Sequence, residues 1–142
     1  MKTLILYATK SGATRECAEI LANKIPNCSI FDLSKNIPNI EEVDNLIIGS
    51  GVRMGHVYNP VKKFIANNIE EILDKNIAIY LCNAYPDTFL KTLGSDFAKI
   101  LINKSICVES FGGKPPFSSP KNQDWIKMEN INTMIQLINS IN

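Results

Sequence analysis

The chain has 142 residues, 45% hydrophobic and 20% charged, which suits one globular domain that buries its own core without disulfide or metal staples. Fifteen Lys plus Arg against fourteen Asp plus Glu leave a formal charge of +1, so a general nucleic-acid binder, which needs a concentrated basic surface, is not expected. No apolar run approaches the roughly 20 residues of a membrane-spanning helix, so no stable membrane insertion is expected either. Met1-Lys2 and the apolar residues 3–7 begin like a signal peptide. Lys10, Ser11 and Gly12 then interrupt the stretch, which leaves a cytoplasmic protein as the expectation. Cys17, Cys28, Cys82 and Cys107 form no C-x-x-C pair, and His56 is the single histidine. They read as small buried hydrophobes in a reducing compartment, not as a metal site.

Residues 3–7 form a short apolar run between turn residues and predict a buried strand. Cys17, Ala18, Leu21, Ala22 and Ile25 then keep helical spacing until Pro26 ends the helix. Residues 29–33 and 45–49 predict a second and a third strand, the third apolar through its centre and so covered on both faces. Between them Pro38 and the acidic residues 41–44 leave little room for a helix. Asn59-Pro60 reads as a cap followed by a first-turn proline, with Val61, Phe64, Ile65, Ile69 and Ile72 continuing the helix. Residues 76–81 predict a fourth strand, Leu90, Leu93, Phe97, Ile100 and Leu101 a further helix, and residues 105–111 a fifth strand. Residues 112–123 read as a loop. Asp124 caps a last helix with Met128, Ile131, Ile135 and Ile138 on its inner face.

Alternating strands and helices with right-handed crossovers predict a single α/β domain over residues 1–142. Its expected form is a five-stranded parallel sheet in the order 2-1-3-4-5 with helices on both faces. Ligands of such sheets bind beyond the carboxyl ends of the strands, beside strands one and three. Function is therefore sought in residues 8–13, 50–59 and 82–88. In the first of these, Thr9, Lys10, Ser11, Gly12, Ala13 and Thr14 run straight into a helix. The free N–H groups of that helix end and the hydroxyls of Thr9, Ser11 and Thr14 can hold a phosphate with uncharged donors alone. Taken without the fold, the same residues serve equally to cap a helix and fill a turn.

Competing uses of the loop fail on their residues. A P-loop needs G-x-x-x-x-G-K-[ST], which is absent, and a dinucleotide turn needs three glycines where Gly12 stands alone. Asp32 has the spacing of a ribose-binding acid but lacks those glycines. A receiver domain needs acids where Ala8 and Ser50 stand, and a tyrosine phosphatase needs a cysteine that the loop does not contain.

Tyr7-Ala8-Thr9-Lys10-Ser11-Gly12-Ala13-Thr14 resembles the T-x-[ST]-G-x-T phosphate loop of flavodoxins, and nearly the whole chain fits that family's strand–helix order. Ile48-Gly49-Ser50-Gly51-Val52-Arg53-Met54-Gly55-His56 looks more like a flavodoxin-like branch related to the menaquinone-dependent protoporphyrinogen oxidase of bacteria. The resemblance implies non-covalent FMN, with its phosphate on residues 9–14 and its ring between the two later loops. That branch carries a long, basic and aromatic C-terminal insertion, whereas residues 112–123 here are short. The near-neutral charge also departs from acidic electron-carrying flavodoxins.

For the ring, the third-strand loop offers Ser50, Gly51, Val52, Arg53, Met54 and Gly55. A carbonyl from residues 50–54 is expected to accept the flavin N5–H. Met54 packs on a ring face or plugs the loop, and Arg53 faces the anionic ring edge or the solvent. His56 reads as a surface or capping residue. Asn83, Ala84 and Tyr85 reach the pyrimidine edge or form a turn before a helix. Tyr58 and Tyr85 are the stacking candidates. Phe117 either belongs to a partner surface or fills its loop, and Trp125 packs half-buried. No residue is expected to act as an independent catalytic acid or base, and none to bind metal. The expected function is an FMN protein carrying electrons between redox partner proteins. The alternatives are a flavin-dependent oxidoreductase of the protoporphyrinogen-oxidase or quinone-reductase type and a binding module without flavin.

Overall fold

The apolar runs become the strands of one sheet. The computed structural model describes residues 1–114 and 122–142. β1 (Thr3–Ala8) pairs in parallel with β2 (Cys28–Asp32) on one side and with β3 (Asn45–Arg53) on the other. β5 (Asn76–Cys82) follows β3, and β6 (Cys107–Ser110) closes the far edge, also in parallel. The order β2-β1-β3-β5-β6 is the expected doubly wound topology. Thr3 faces Cys28 and Asn45, and Asn45 faces Asn76, so the strands start level and all their loops leave at one end.

Alternation sends one set of side chains to each face. Leu4, Leu6, Leu46, Ile48, Ile77, Ile79 and Leu81 pack under α2 (Asn59–Leu73), α3 (Phe89–Asp96) and α4 (Lys99–Lys104). Ile5, Tyr7, Ile47, Ala78 and Tyr80 pack under α1 (Ala13–Lys24) and α5 (Met128–Ile141). Residues 33–44 carry no helix; Leu33, Ile40 and Val43 plug the first face from this connection instead.

Four local expectations are corrected. β3 runs past Gly49 and turns back through a short antiparallel strand, β4 (His56–Val57), where a loop was expected, so the sheet has six strands. Val52 pairs with Val57 and Arg53 with His56. The turn residues Met54 and Gly55 have φ of 53° and 81°, the signs of a primed hairpin turn whose twist suits the flanking strands.

The cap of α2 is Tyr58 instead of Asn59, and Asn59 is already helical. The expected helix through Leu101 breaks at Phe97 and Ala98, both extended (ψ 137° and 139°). Phe97 is buried, whereas Leu90 and Ile100, expected on the inner face, are exposed. α5 is capped by Lys127, not Asp124; Met128 is exposed and Met134, fully buried, takes the inner position.

A polar seam crosses the amino ends of the strands. Asn45, fully buried, donates to Thr3 Oγ1 (3.1 Å) and Asn142 Oδ1 (2.9 Å) and accepts from Asn76 Nδ2 (2.9 Å). The seam satisfies buried polar groups at the end opposite the loops.

Candidate functional site

The loop from β1 to α1 folds on its own hydroxyls. The Gly12 N–H donates to Thr9 Oγ1 (2.9 Å) and the Ala13 N–H to Ser11 Oγ (3.4 Å). Gly12 stands at φ 89° as the N-cap of α1 and supplies no side-chain cap, so the first-turn donors of the helix face the loop. Thr14 is 1% exposed and its Oγ1 has no hydrogen-bond partner. That hydroxyl lies beside the Cys82 thiol, a weak acceptor. Burial, first, and the neighbouring Cys17 push the Cys82 thiol well above its usual range, so it stays neutral.

The first turn of α1 is pinned from the sheet. The Tyr80 hydroxyl donates to the Thr14 carbonyl (2.8 Å), and its ring stacks on Phe111 at a centroid distance of 4.6 Å. Complete burial keeps this phenol un-ionised. Lys114 reaches the loop from the far edge of the sheet. Its Nζ donates to the Ser11 carbonyl (3.2 Å) and pairs with Glu16 Oε1 (3.3 Å). The same ammonium lies 5.7 Å from the centroid of Trp125, and its side chain is 13% exposed. A cation therefore sits on a loop expected to work through uncharged donors alone.

The second loop is the β3–β4 hairpin. Ser50 is fully buried; its Oγ donates to the Gly51 carbonyl (2.7 Å) and accepts from the Tyr58 N–H (3.1 Å). The Tyr58 ring covers Gly51 and lies 5.1 Å from Lys10 Nζ, which joins this loop to the first. Burial raises the Tyr58 phenol above its usual range, although the Arg53 charge opposes this. Val52 is half-buried, Arg53 is exposed, and Met54 at the tip is 91% exposed.

Asp96 at the end of α3 anchors the hairpin. Its carboxylate accepts from the Val57 N–H (2.7 Å) and meets His56 Nδ1 (3.0 Å) and Lys62 Nζ (3.5 Å). Thr92 Oγ1 donates to the Gly55 carbonyl (2.8 Å) from the same helix. His56 is thus a structural partner of Asp96.

In the third loop Asn83 organises its own turn. Its Oδ1 accepts from the Tyr85 N–H (3.0 Å) and its Nδ2 donates to Thr88 Oγ1, which donates on to the Tyr85 carbonyl (2.9 Å). Asn83 is buried, and Tyr85 stands 59% exposed at the tip. Gly113 lies against Asn83 and Ala84, where a Cβ would come within 2.7 Å of the Ala84 nitrogen. The strand after which Lys114 follows thus ties the third loop to the first.

Residues 9–14, Ser50, Gly51, Asn83 and Ala84 belong to loops joined by Tyr58, Gly113 and Lys114 at the carboxyl end of the sheet. Met54 and Tyr85 project from these loops. Phe117 lies outside the described residues. The contributions of Lys114, Glu16 and Tyr80 were missed in the sequence; only the position of Gly112-Gly113-Lys114 after the last strand hinted at the first. Among the described residues no group of three His, Cys, Asp or Glu could hold a metal ion, and no helix is long and apolar enough to cross a membrane.

The sequence model of the flavodoxin domain matches residues 4–114. Protoporphyrinogen IX dehydrogenase [quinone] of Escherichia coli is 33% identical over 88 residues, covering 58% of this chain and 49% of that protein. The chain thus spans about half the length of the curated relatives it matches. Among solved structures, rubredoxin:oxygen oxidoreductase from Desulfovibrio gigas superposes with a TM-score of 0.69 at 16% identity, over 99% of this chain and 35% of that one. A Fusobacterium nucleatum flavodoxin bound to flavin mononucleotide gives a TM-score of 0.59 at 14% identity, over 99% and 97% of the two chains.

Proposed function

The chain belongs to the flavodoxin-domain family, and from that premise we propose that it works as a single FMN-binding domain carrying electrons between redox partner proteins. The observation that carries the reading is Thr14 Oγ1, a buried hydroxyl without a partner in the first turn of α1. A buried polar atom left unpaired costs about 1–3 kcal/mol, and a phosphate at this helix end would satisfy it. The donor set therefore fits the phosphate of FMN. Thr9, Lys10, Ser11, Gly12, Ala13 and Thr14 would hold that phosphate. Ser50, Gly51, Val52, Arg53, Met54 and Gly55 on one side, and Asn83, Ala84 and Tyr85 on the other, would hold the ring.

When bound, FMN supplies one- and two-electron redox chemistry. The protein's part is to bind, orient and shield. Tyr58 covers Gly51 and presents an aromatic face next to the phosphate loop. A backbone carbonyl from residues 50–54 would accept a hydrogen bond from the flavin N5–H. Arg53 would contribute a positive charge near the ring, which favours added electrons. A reducing, cytoplasmic setting agrees with the free cysteines Cys17, Cys28, Cys82 and Cys107.

A second reading rests on the 33% identity to the Escherichia coli dehydrogenase: that the chain oxidises a porphyrinogen or reduces a quinone. One titration addresses both. Apoprotein with added FMN should give a yellow stoichiometric complex. Reduction in two resolved one-electron steps supports carriage; direct two-electron reduction with turnover of porphyrinogen or quinone supports the enzyme. A protein that takes up no FMN rejects both.

A further inference from the structure

Lys114 is the one cation on the described structure that touches the phosphate loop's backbone from outside it, and it comes from 103 positions further along the chain. Its Nζ stands 3.2 Å from the Ser11 carbonyl and 3.7 Å from the place where a Cβ on Gly12 would be. The ammonium therefore lies against the loop at Ser11 and Gly12. Its side chain is 13% exposed, so most of its length packs against the protein while the ammonium stays at the loop. Among the described residues its acidic partner is Glu16, a half-exposed residue whose second oxygen, Oε2, is buried without a hydrogen-bond partner. Trp125 flanks the ammonium at 5.7 Å and limits its swing.

We propose that Lys114 is a phosphate-binding residue of this chain, neutralising an anion seated on residues 9–14 and selecting phosphorylated flavin over the unphosphorylated form. The inference rests on the FMN-binding reading and adds a cation from outside the loop to the loop's own N–H groups and hydroxyls. The partly buried Lys114–Glu16 pair is poised for it. Glu16 holds the ammonium beside Ser11, and a dianion arriving at Gly12 meets a cation already in place. Lys114 follows Gly113, which packs on Asn83 and Ala84, so these two neighbouring residues touch the first and the third loop.

The test compares FMN with riboflavin, which lacks the phosphate, on the full chain. Lys114→Met should weaken FMN binding about tenfold or more, the loss of one charge-assisted contact, and leave riboflavin affinity unchanged. The salt dependence of FMN binding should become shallower in the variant. Glu16→Gln and the double variant separate a direct role from simple masking of Glu16. If Lys114 meets the phosphate, its removal still costs about tenfold in the Glu16→Gln background. If the loss vanishes there, or if FMN and riboflavin weaken alike, Lys114 is a structural tether and the inference fails. Thermal stabilisation of the apoprotein by inorganic phosphate, expected for the parent and reduced in Lys114→Met, gives a readout without flavin; equal stabilisation of both overturns the inference. Absence of any FMN binding by the parent would instead reject the reading on which it rests.

Discussion

Gly51 lies so close beneath the ring of Tyr58 that a Cβ on it would stand 2.7 Å from Cε2 and 2.9 Å from the phenol oxygen. Two positions earlier, Gly49 meets the ring of Tyr80 more closely still. The two neighbours differ in freedom. Tyr80 is fully buried, stacked on Phe111 and bonded to the Thr14 carbonyl, whereas the half-buried Tyr58 can swing its far end outward. Gly49→Ala should therefore destabilise the fold by about 1–3 kcal/mol through overpacking. Gly51→Ala should cost less than about 1 kcal/mol yet displace the aromatic cover. Urea midpoints alongside FMN affinity check this. A Gly51→Ala variant with unchanged FMN affinity would remove Tyr58 from the flavin site.

Thr14→Val separates binding from folding. Valine keeps the shape of threonine and deletes a hydroxyl that has no partner. The apoprotein should hold its stability or gain up to about 1 kcal/mol. FMN affinity should fall by about 1.5–3 kcal/mol, the worth of one hydrogen bond to a charged group. Calorimetric unfolding of the apoprotein and titration with FMN measure the two effects. Parallel losses in both would mean that Thr14 supports the fold and not the phosphate.

Met54 occupies the left-handed region at φ 53° while 91% exposed. An L-residue pays about 1–2 kcal/mol there, and glycine recovers this minus about 0.5–1 kcal/mol of unfolded-state entropy. Met54→Gly is expected to stabilise the chain by a few tenths to about 1 kcal/mol, read from its melting temperature. A drop in FMN affinity at the same time would identify the thioether as a contact of the ring; unchanged affinity would leave it a turn residue.

The parts legible in the sequence are those set by neighbouring residues. The strands from Thr3 and Asn45 and the helix after Thr14 follow from runs and spacings of apolar side chains, and the loop of residues 9–14 from hydroxyls around one glycine. β4 was not legible because Met54-Gly55 is a weak local turn signal. Its strand is held by Asp96, 39 positions from Val57. The break at Phe97 was hidden for a similar reason: Leu93, Phe97 and Leu101 keep helical spacing, and their inward packing is satisfied equally by two short helices. Lys114 was missed because its partners Ser11 and Glu16 lie 103 and 98 positions away.

The Asp96 anchor makes the hairpin sensitive to acid. Burial tends to raise this carboxyl, but hydrogen bonds from His56, the Val57 N–H and Ser95, with the charge of Lys62, outweigh it and hold the group below its ordinary value. A carboxylate depressed in the folded state binds fewer protons than in the unfolded chain. Its stabilisation is complete above the unfolded value of about 3.9 and is lost as the pH falls through the lower folded one. Asp96→Asn should therefore be less stable than the parent at neutral pH, with the gap closing as the pH falls below the unfolded value of about 3.9. Subtracting the two denaturation curves cancels the other carboxylates. A gap of constant size across that range would show that Asp96 contributes through shape and neutral hydrogen bonds alone, and that its charge does not hold β4 against α3.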